Sequence, residues 1–222
     1  MTTPVTTRRG VGRPRDAALQ DRRREEILDR AATVFAEHGL AGTDVQWIAD
    51  ALRLSKGTIY HYFPTKQELF LSAVRRGVEQ LRQHIDQCLR NTADPIDRIA
   101  AAVEQHLAFF AARRSLVELF LQERAEFKEN HTPVYFEKRD QRKGPWRDLV
   151  AELIAAGRIR PMPVERVLNV LGDVLYGTMF TNHLSGRNQP FQEQAADIMD
   201  VIFNGVLADG ERLRRHRGVD VP

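Results

Sequence analysis

The chain has 222 residues, 42% apolar and 28% charged, enough for one large domain or a small domain joined to a larger one and outside the charge-rich, aromatic-poor range of disorder. No stretch approaches the roughly 20 apolar residues that cross a bilayer, and the opening MTTPVTTRRGVGRPR lacks the apolar segment of a secretory signal. A soluble, cytoplasmic protein with no membrane partner is expected, and Cys88, the only cysteine, excludes an internal disulfide and a multi-cysteine metal site.

The net charge of +3 is unevenly spread: residues 1–24 hold seven arginines and two aspartates, a surplus of +5, and the remainder nets −2. A basic arm on a nearly neutral body is the footprint of a protein that meets a polyanion at one end, or else a solvated tail. From Arg24, Ile27, Leu28, Ala31, Val34 and Phe35 recur at helical spacing up to His38-Gly39, where glycine is a usual stop. Thr43 with Gln46 reads as a capping box opening a second helix with Val45, Ile48, Ala49 and Leu52 on one face. After Arg53-Leu54, Ser55 can cap a third short helix, Lys56 to about His61, ended by Phe63-Pro64.

Thr65 and Glu68 start a longer fourth helix that stops near Asn91, and Asp94-Pro95 caps a fifth running to about Arg113. Ser115 with Glu118 begins a sixth, and a seventh helical region runs to Ala156-Gly157, with an interruption expected at Gly144-Pro145. Pro163 opens an eighth helix to about Leu184 and Pro190 a ninth to about Arg214. Nothing alternates with strand period, so the expected fold is all-α with about nine helices.

A short helix, a tight turn and a second short helix form the geometry that lays one helix across the phosphate backbone and the next in the major groove. At the start of that second helix Lys56 offers charge for phosphate, Gly57 lets the backbone come close, and Thr58 can hydrogen-bond a base or touch a thymine methyl. Tyr60, His61 and Tyr62 follow as donors suited to phosphate oxygens. GRPR at Gly12–Arg15 is similar to the core of an AT-hook, so Arg13 and Arg15 either enter a minor groove or contact phosphate, or belong to a solvated tail.

The run from Phe35 to Gly39, Thr43, Val45, Ile48-Ala49 and LSKGTIYHYFPTKQELF at Leu54–Phe70 resembles the signature of the TetR family of transcriptional regulators. The resemblance implies DNA contacts from Thr43 at the second helix cap, Lys56, Gly57, Thr58, Tyr60 and His61 in the recognition helix, and Lys66 at the start of the fourth. Two departures stand out. Arg53 occupies a turn position where the family usually has glycine, and a non-glycine residue in a left-handed conformation costs about 1 kcal/mol. Asp44 stands where serine or threonine is common, and its charge would repel nearby phosphate.

The implied organisation is a basic arm at 1–21, a helix-turn-helix domain at 22–66, and a larger helical domain for ligand binding and dimerisation at 67–222. The expected partners are a double-stranded, palindromic DNA operator, a second copy of the chain joined through helices eight and nine, and a small-molecule effector. The expected function is repression relieved by a small, largely apolar effector, with a ligand-independent architectural DNA binder as the alternative. Phe109, Phe127, Trp146, Tyr176, Phe180 and His183 are candidates to line its site, although aromatics at helical spacing more often pack as core. Drug-like molecules, fatty acyl compounds and aromatic metabolites all fit that description.

His84 and Cys88 lie four apart but lack a third ligand in the sequence, and Glu123, Glu126 and His131, which could form a polar pocket wall or a metal cluster, read more readily as exposed helix residues. No glycine-rich phosphate loop, G-x-S-x-G elbow or H-E-x-x-H motif is present, so neither an enzyme nor a cofactor is expected.

Overall fold

The computed structural model describes residues 14–90, 92–127, 132–141, 143–187 and 189–205. Among them every regular element is an α-helix: α1 (Pro14–Gly42), α2 (Val45–Ala51), α3 (Lys56–Tyr62), α4 (Lys66–Leu89), α5 (Pro95–Ala112), α6 (Arg114–Glu126), α7 (Val134–Gln141), α8 (Lys143–Ala155), α9 (Val164–Ser185) and α10 (Phe191–Asn204). Ten helices replace the expected nine because the seventh region divides between Gln141 and Lys143. Pro145, expected at the break, instead sits in the first turn of α8, where a missing N–H costs nothing.

The chain divides into two compact units, residues 1–76 and 77–222, a boundary inside α4 and beyond the expected 66/67. The start of α4 belongs to the first unit because Leu69, Phe70, Ala73 and Val74 are buried in its core, Phe70 meeting Phe35 edge-on with ring centroids 5.3 Å apart. Arg76 adds ion pairs to Glu25 and Asp29 of α1. Full burial of such apolar side chains contributes about 1.5 to 3 kcal/mol each.

The helix begins at Pro14, earlier than the expected first helix near Arg24, so Arg15 lies on α1 and not in an extended arm. Arg13 lies outside the described residues. Gly39 has φ 74°, which breaks α1 where the sequence pattern placed its stop.

The second unit is built on α5, which packs against α10 and α9. Ile99, Val103 and Leu107 of α5 meet Leu153 of α8 and Ala195 and Met199 of α10, and Trp146, Leu171 and Leu175 pack around them. Asp94 caps α5 by accepting from the backbone N–H of Ile96 (2.8 Å) and Asp97 (3.3 Å). Its carboxyl is held below the usual range chiefly by the Arg158 guanidinium 2.8 Å away. Glu123 is wholly buried, contrary to its expected exposure, and accepts from the Val134 backbone N–H at 2.9 Å, which caps the start of α7. Gly77 leaves room for Leu116 of α6, where a methyl group would overlap the leucine side chain. α10 ends at Asn204, where Gly205 with φ 73° leaves the helical conformation, so the single helix expected to run to about Arg214 stops short; Val206 and Leu207 lie outside the described residues. No helix among the described residues is long and apolar enough to cross a membrane.

Candidate functional site

The helix-turn-helix is α2, the turn Leu52–Ser55 and α3. Val45, Ile48 and Ala49 bury one face of α2, and Ile59, fully buried, anchors α3. Gly57, Tyr60 and His61 are thereby left exposed on the outer face. Ser55 caps α3 as expected, its Oγ accepting from the Thr58 N–H at 3.0 Å and lying 2.9 Å from the Thr58 hydroxyl. Arg53 does adopt the left-handed conformation, φ 55°, and the Leu54 N–H returns to the Ala49 carbonyl at 2.9 Å to close the turn.

Three residues expected at DNA are held differently. Thr43 is only 3% exposed and does not cap α2; its hydroxyl donates to the Gly39 carbonyl at 2.6 Å, closing the end of α1. The cap is Asp44, which accepts from the Gln46 N–H at 2.9 Å. That bond, and then the ammonium of Lys56 at 2.8 Å, holds the Asp44 carboxyl below its ordinary value, so the two side chains share an exposed ion pair. Lys66 donates to the carbonyls of Ala41 (3.1 Å) and Thr43 (3.0 Å), tying α4 to the end of α1. The Asp44–Lys56 pair was not foreseen, since its members are twelve residues apart and meet only because the turn folds α3 back beside α2.

In the second unit a cavity of about 230 Å³ opens among α4, α5, α7, α8 and α9. Its wall is mainly aliphatic: Val78, Leu81 and Ile85 of α4, Ile99, Ala102 and Val103 of α5, and Leu168, Leu171 and Leu175 of α9. Trp146 contributes an aromatic edge, and His106 with Tyr135 contributes polar atoms. Arg82, Lys138, Arg139 and Lys143 against Asp86 make its charged lining basic. The Nε and Nη1 atoms of Arg139 are buried without a hydrogen-bond partner among the described residues, 3.5 Å from Asp140 and 3.6 Å from Asp173 respectively. Gly172, lacking a Cβ, leaves space for that guanidinium.

Of the six candidates for ligand lining, Trp146 alone borders this cavity. His183 borders a second one of about 200 Å³, where its Nε2 lies 3.0 Å from Glu118. Phe109 is core, covered by the Arg113 guanidinium, and Phe180 meets Tyr176 edge-on with centroids 4.7 Å apart. Phe127 terminates α6. These aromatics satisfy one another, and the aliphatic lining residues missed by the sequence reading carry no signal that separates a wall from a core.

The family model for bacterial regulatory proteins of the tetR family matches residues 27–73, and the model for the tetracyclin repressor-like C-terminal domain matches residues 92–206. Among curated relatives, the chain is 25% identical over 198 residues to the HTH-type transcriptional repressor KstR2 of Mycobacterium tuberculosis strain H37Rv, covering 88% of this chain and 98% of the relative. It is 39% identical over 103 residues to the HTH-type transcriptional activator FasR of Mycolicibacterium smegmatis, covering 46% of this chain and 43% of the relative. Among solved structures, FadR from Bacillus subtilis in complex with stearoyl-CoA superposes with a TM-score of 0.69 at 18% identity, over 82% of this chain and 99% of that one. The ketosteroid regulator KstR2 of Mycobacterium tuberculosis gives 0.62 at 23%, over 84% and 96%. With a DNA-reading helix-turn-helix in one unit, a helical body in the other and both family models matched in order, the chain belongs to the TetR family and is a DNA-binding transcriptional regulator, not an enzyme.

Proposed function

We propose that the protein is a homodimeric repressor of a two-fold symmetric operator, released when a small amphipathic molecule with an apolar body enters the cavity of the second unit. The observation that carries this reading is the exposed face of α3: Gly57, Tyr60 and His61 point outward beside Thr58 while Ile59 locks the helix from behind. Such a short helix spans only a few base pairs, so two copies are needed for a specific site, with half-sites about 34 to 36 Å apart or somewhat more. Repression is favoured over activation because the KstR2 repressor of Mycobacterium tuberculosis is matched over 98% of its length, whereas the activator match covers less than half of either chain.

Gly57, Thr58, Tyr60 and His61 make the groove and backbone contacts, and Lys56 reaches phosphate by exchanging Asp44 for the DNA. Arg13 and Arg15 add charge from the N-terminal side. Thr43 and Lys66 act through their bonds to the end of α1, which fix where α2 and α4 begin.

The dimer forms through α9 and α10, helices eight and nine of the sequence reading. An exposed stripe runs along α9 through Val170, Val174, Gly177, Thr181 and Leu184, spaced as one helical face, with Val170 51% and Leu184 69% exposed. Val201 and Phe203 add exposed apolar surface on α10, and nothing lies within 4 Å of the position a Gly177 Cβ would take, leaving room for close approach.

The basic lining suits a negatively charged end on the effector, and the stearoyl-CoA held by the FadR protein makes fatty acyl-CoA thioesters the first probes. Coupling runs through α4, which starts directly after the recognition helix and supplies Val78, Leu81 and Ile85 to the cavity.

Selection of genomic fragments bound by the full-length protein tests the DNA half and should return a two-fold symmetric sequence. Thr58→Ala should relax preference at one position per half-site by about 1 to 3 kcal/mol. Selected fragments without two-fold symmetry, or a variant with unchanged preference, would contradict it.

A further inference from the structure

We infer that the cavity selects ligands carrying an oxygen acceptor within their apolar portion, and that His106 and Tyr135 are the residues that read it. The inference deepens the effector reading above and rests on it. His106 lies on α5, is 4% exposed and lines the cavity together with Tyr135 of α7. Its Nε2 is 3.2 Å from the tyrosine Oη, and its Nδ1 has no hydrogen-bond partner among the described residues. Burial pulls the imidazole pKa down to about 4, so the ring is neutral and carries one N–H.

Two proton arrangements follow. When Nε2 accepts from the tyrosine O–H, the ring proton sits on Nδ1 and has no acceptor. When Nε2–H donates to Oη, the tyrosine O–H becomes the donor without an acceptor. Each arrangement leaves one donor with no acceptor among the described residues, a destabilising condition that two apolar residues of the same shape would avoid. A saturated hydrocarbon chain offers no acceptor, whereas a hydroxyl or keto oxygen partway along the ligand does. A pocket polar group built to bond a substrate oxygen discriminates strongly against the analogue that lacks it.

Calorimetric titration of the full-length protein tests this with decanoyl-CoA, its 3-, 6- and 9-hydroxy derivatives, and the four corresponding free acids, which separate the carrier from the chain. Wild type should bind at least one oxygenated probe about 10-fold or more tightly than its parent. The His106→Leu/Tyr135→Phe variant removes both members of the pair; it should lose that preference, hold the parent within about threefold and keep its Tm, because both polar partners are replaced together. Equal binding of parent and oxygenated probes by wild type would overturn the inference, as would a preference that survives in the double variant. Failure of every probe to bind would overturn the cavity reading along with it.

Discussion

Val174→Asp should yield a well-folded monomer whose operator affinity is at least about 100-fold weaker than wild type, because the proposed two-fold operator engages two recognition helices and a monomer offers one. Val174 is 36% exposed in the protomer and sits mid-stripe on α9, so an aspartate there is solvated while the chain is alone. In a symmetric interface the same patch is used by both copies, so one substitution buries two carboxylates. An uncompensated buried charge costs about 3 to 5 kcal/mol, which exceeds what one apolar contact contributes. Light scattering at micromolar concentration reads the mass, circular dichroism the retained helix, and fluorescence anisotropy the operator affinity. A variant that remained dimeric would place the interface elsewhere.

Acid should unfold the protein partly through His106. The ring is buried neutral with a pKa near 4, against 6.5 for an ordinary histidine, so between these values the unfolded chain binds a proton that the native state excludes. Stability contributed by the neutral ring is complete above pH 6.5 and declines as pH falls toward 4. At about 1.4 kcal/mol per pH unit this amounts to about 3 kcal/mol across the window. Urea unfolding at several pH values should show that decline in wild type and its loss in His106→Leu/Tyr135→Phe. Parallel curves for the two proteins would mean that the imidazole is protonated in the native state or reached by water.

The helical order was legible because local signals agree: Ser55 caps α3, Asp94 caps α5, Gly39 stops α1, and prolines 163 and 190 immediately precede α9 and α10. The recognition helix was legible for the same reason. What escaped the sequence depends on tertiary placement. Thr43 and Asp44 are adjacent residues with equal capping chemistry, and the inward bond of Thr43 to Gly39 is what leaves the cap to Asp44. Glu123 reads as a surface carboxylate until the fold places the Val134 N–H beside it. Of the aromatics named for ligand lining only Trp146 borders the cavity between α4 and α5, because aromatics draw attention while they pack on one another, and Leu81, Ile99 and Leu171 look identical whether they meet a neighbour or a void.

In the proposed mechanism the operator and a cavity ligand oppose each other through one protein. Anisotropy of a labelled operator, selected as above, should be measured against increasing acyl-CoA probe, and probe affinity should be measured calorimetrically with and without saturating operator. Both affinities should fall by the same factor, between about 5-fold and 150-fold, because coupling between two binding events is reciprocal. A probe that fills the cavity while operator affinity stays unchanged would contradict it.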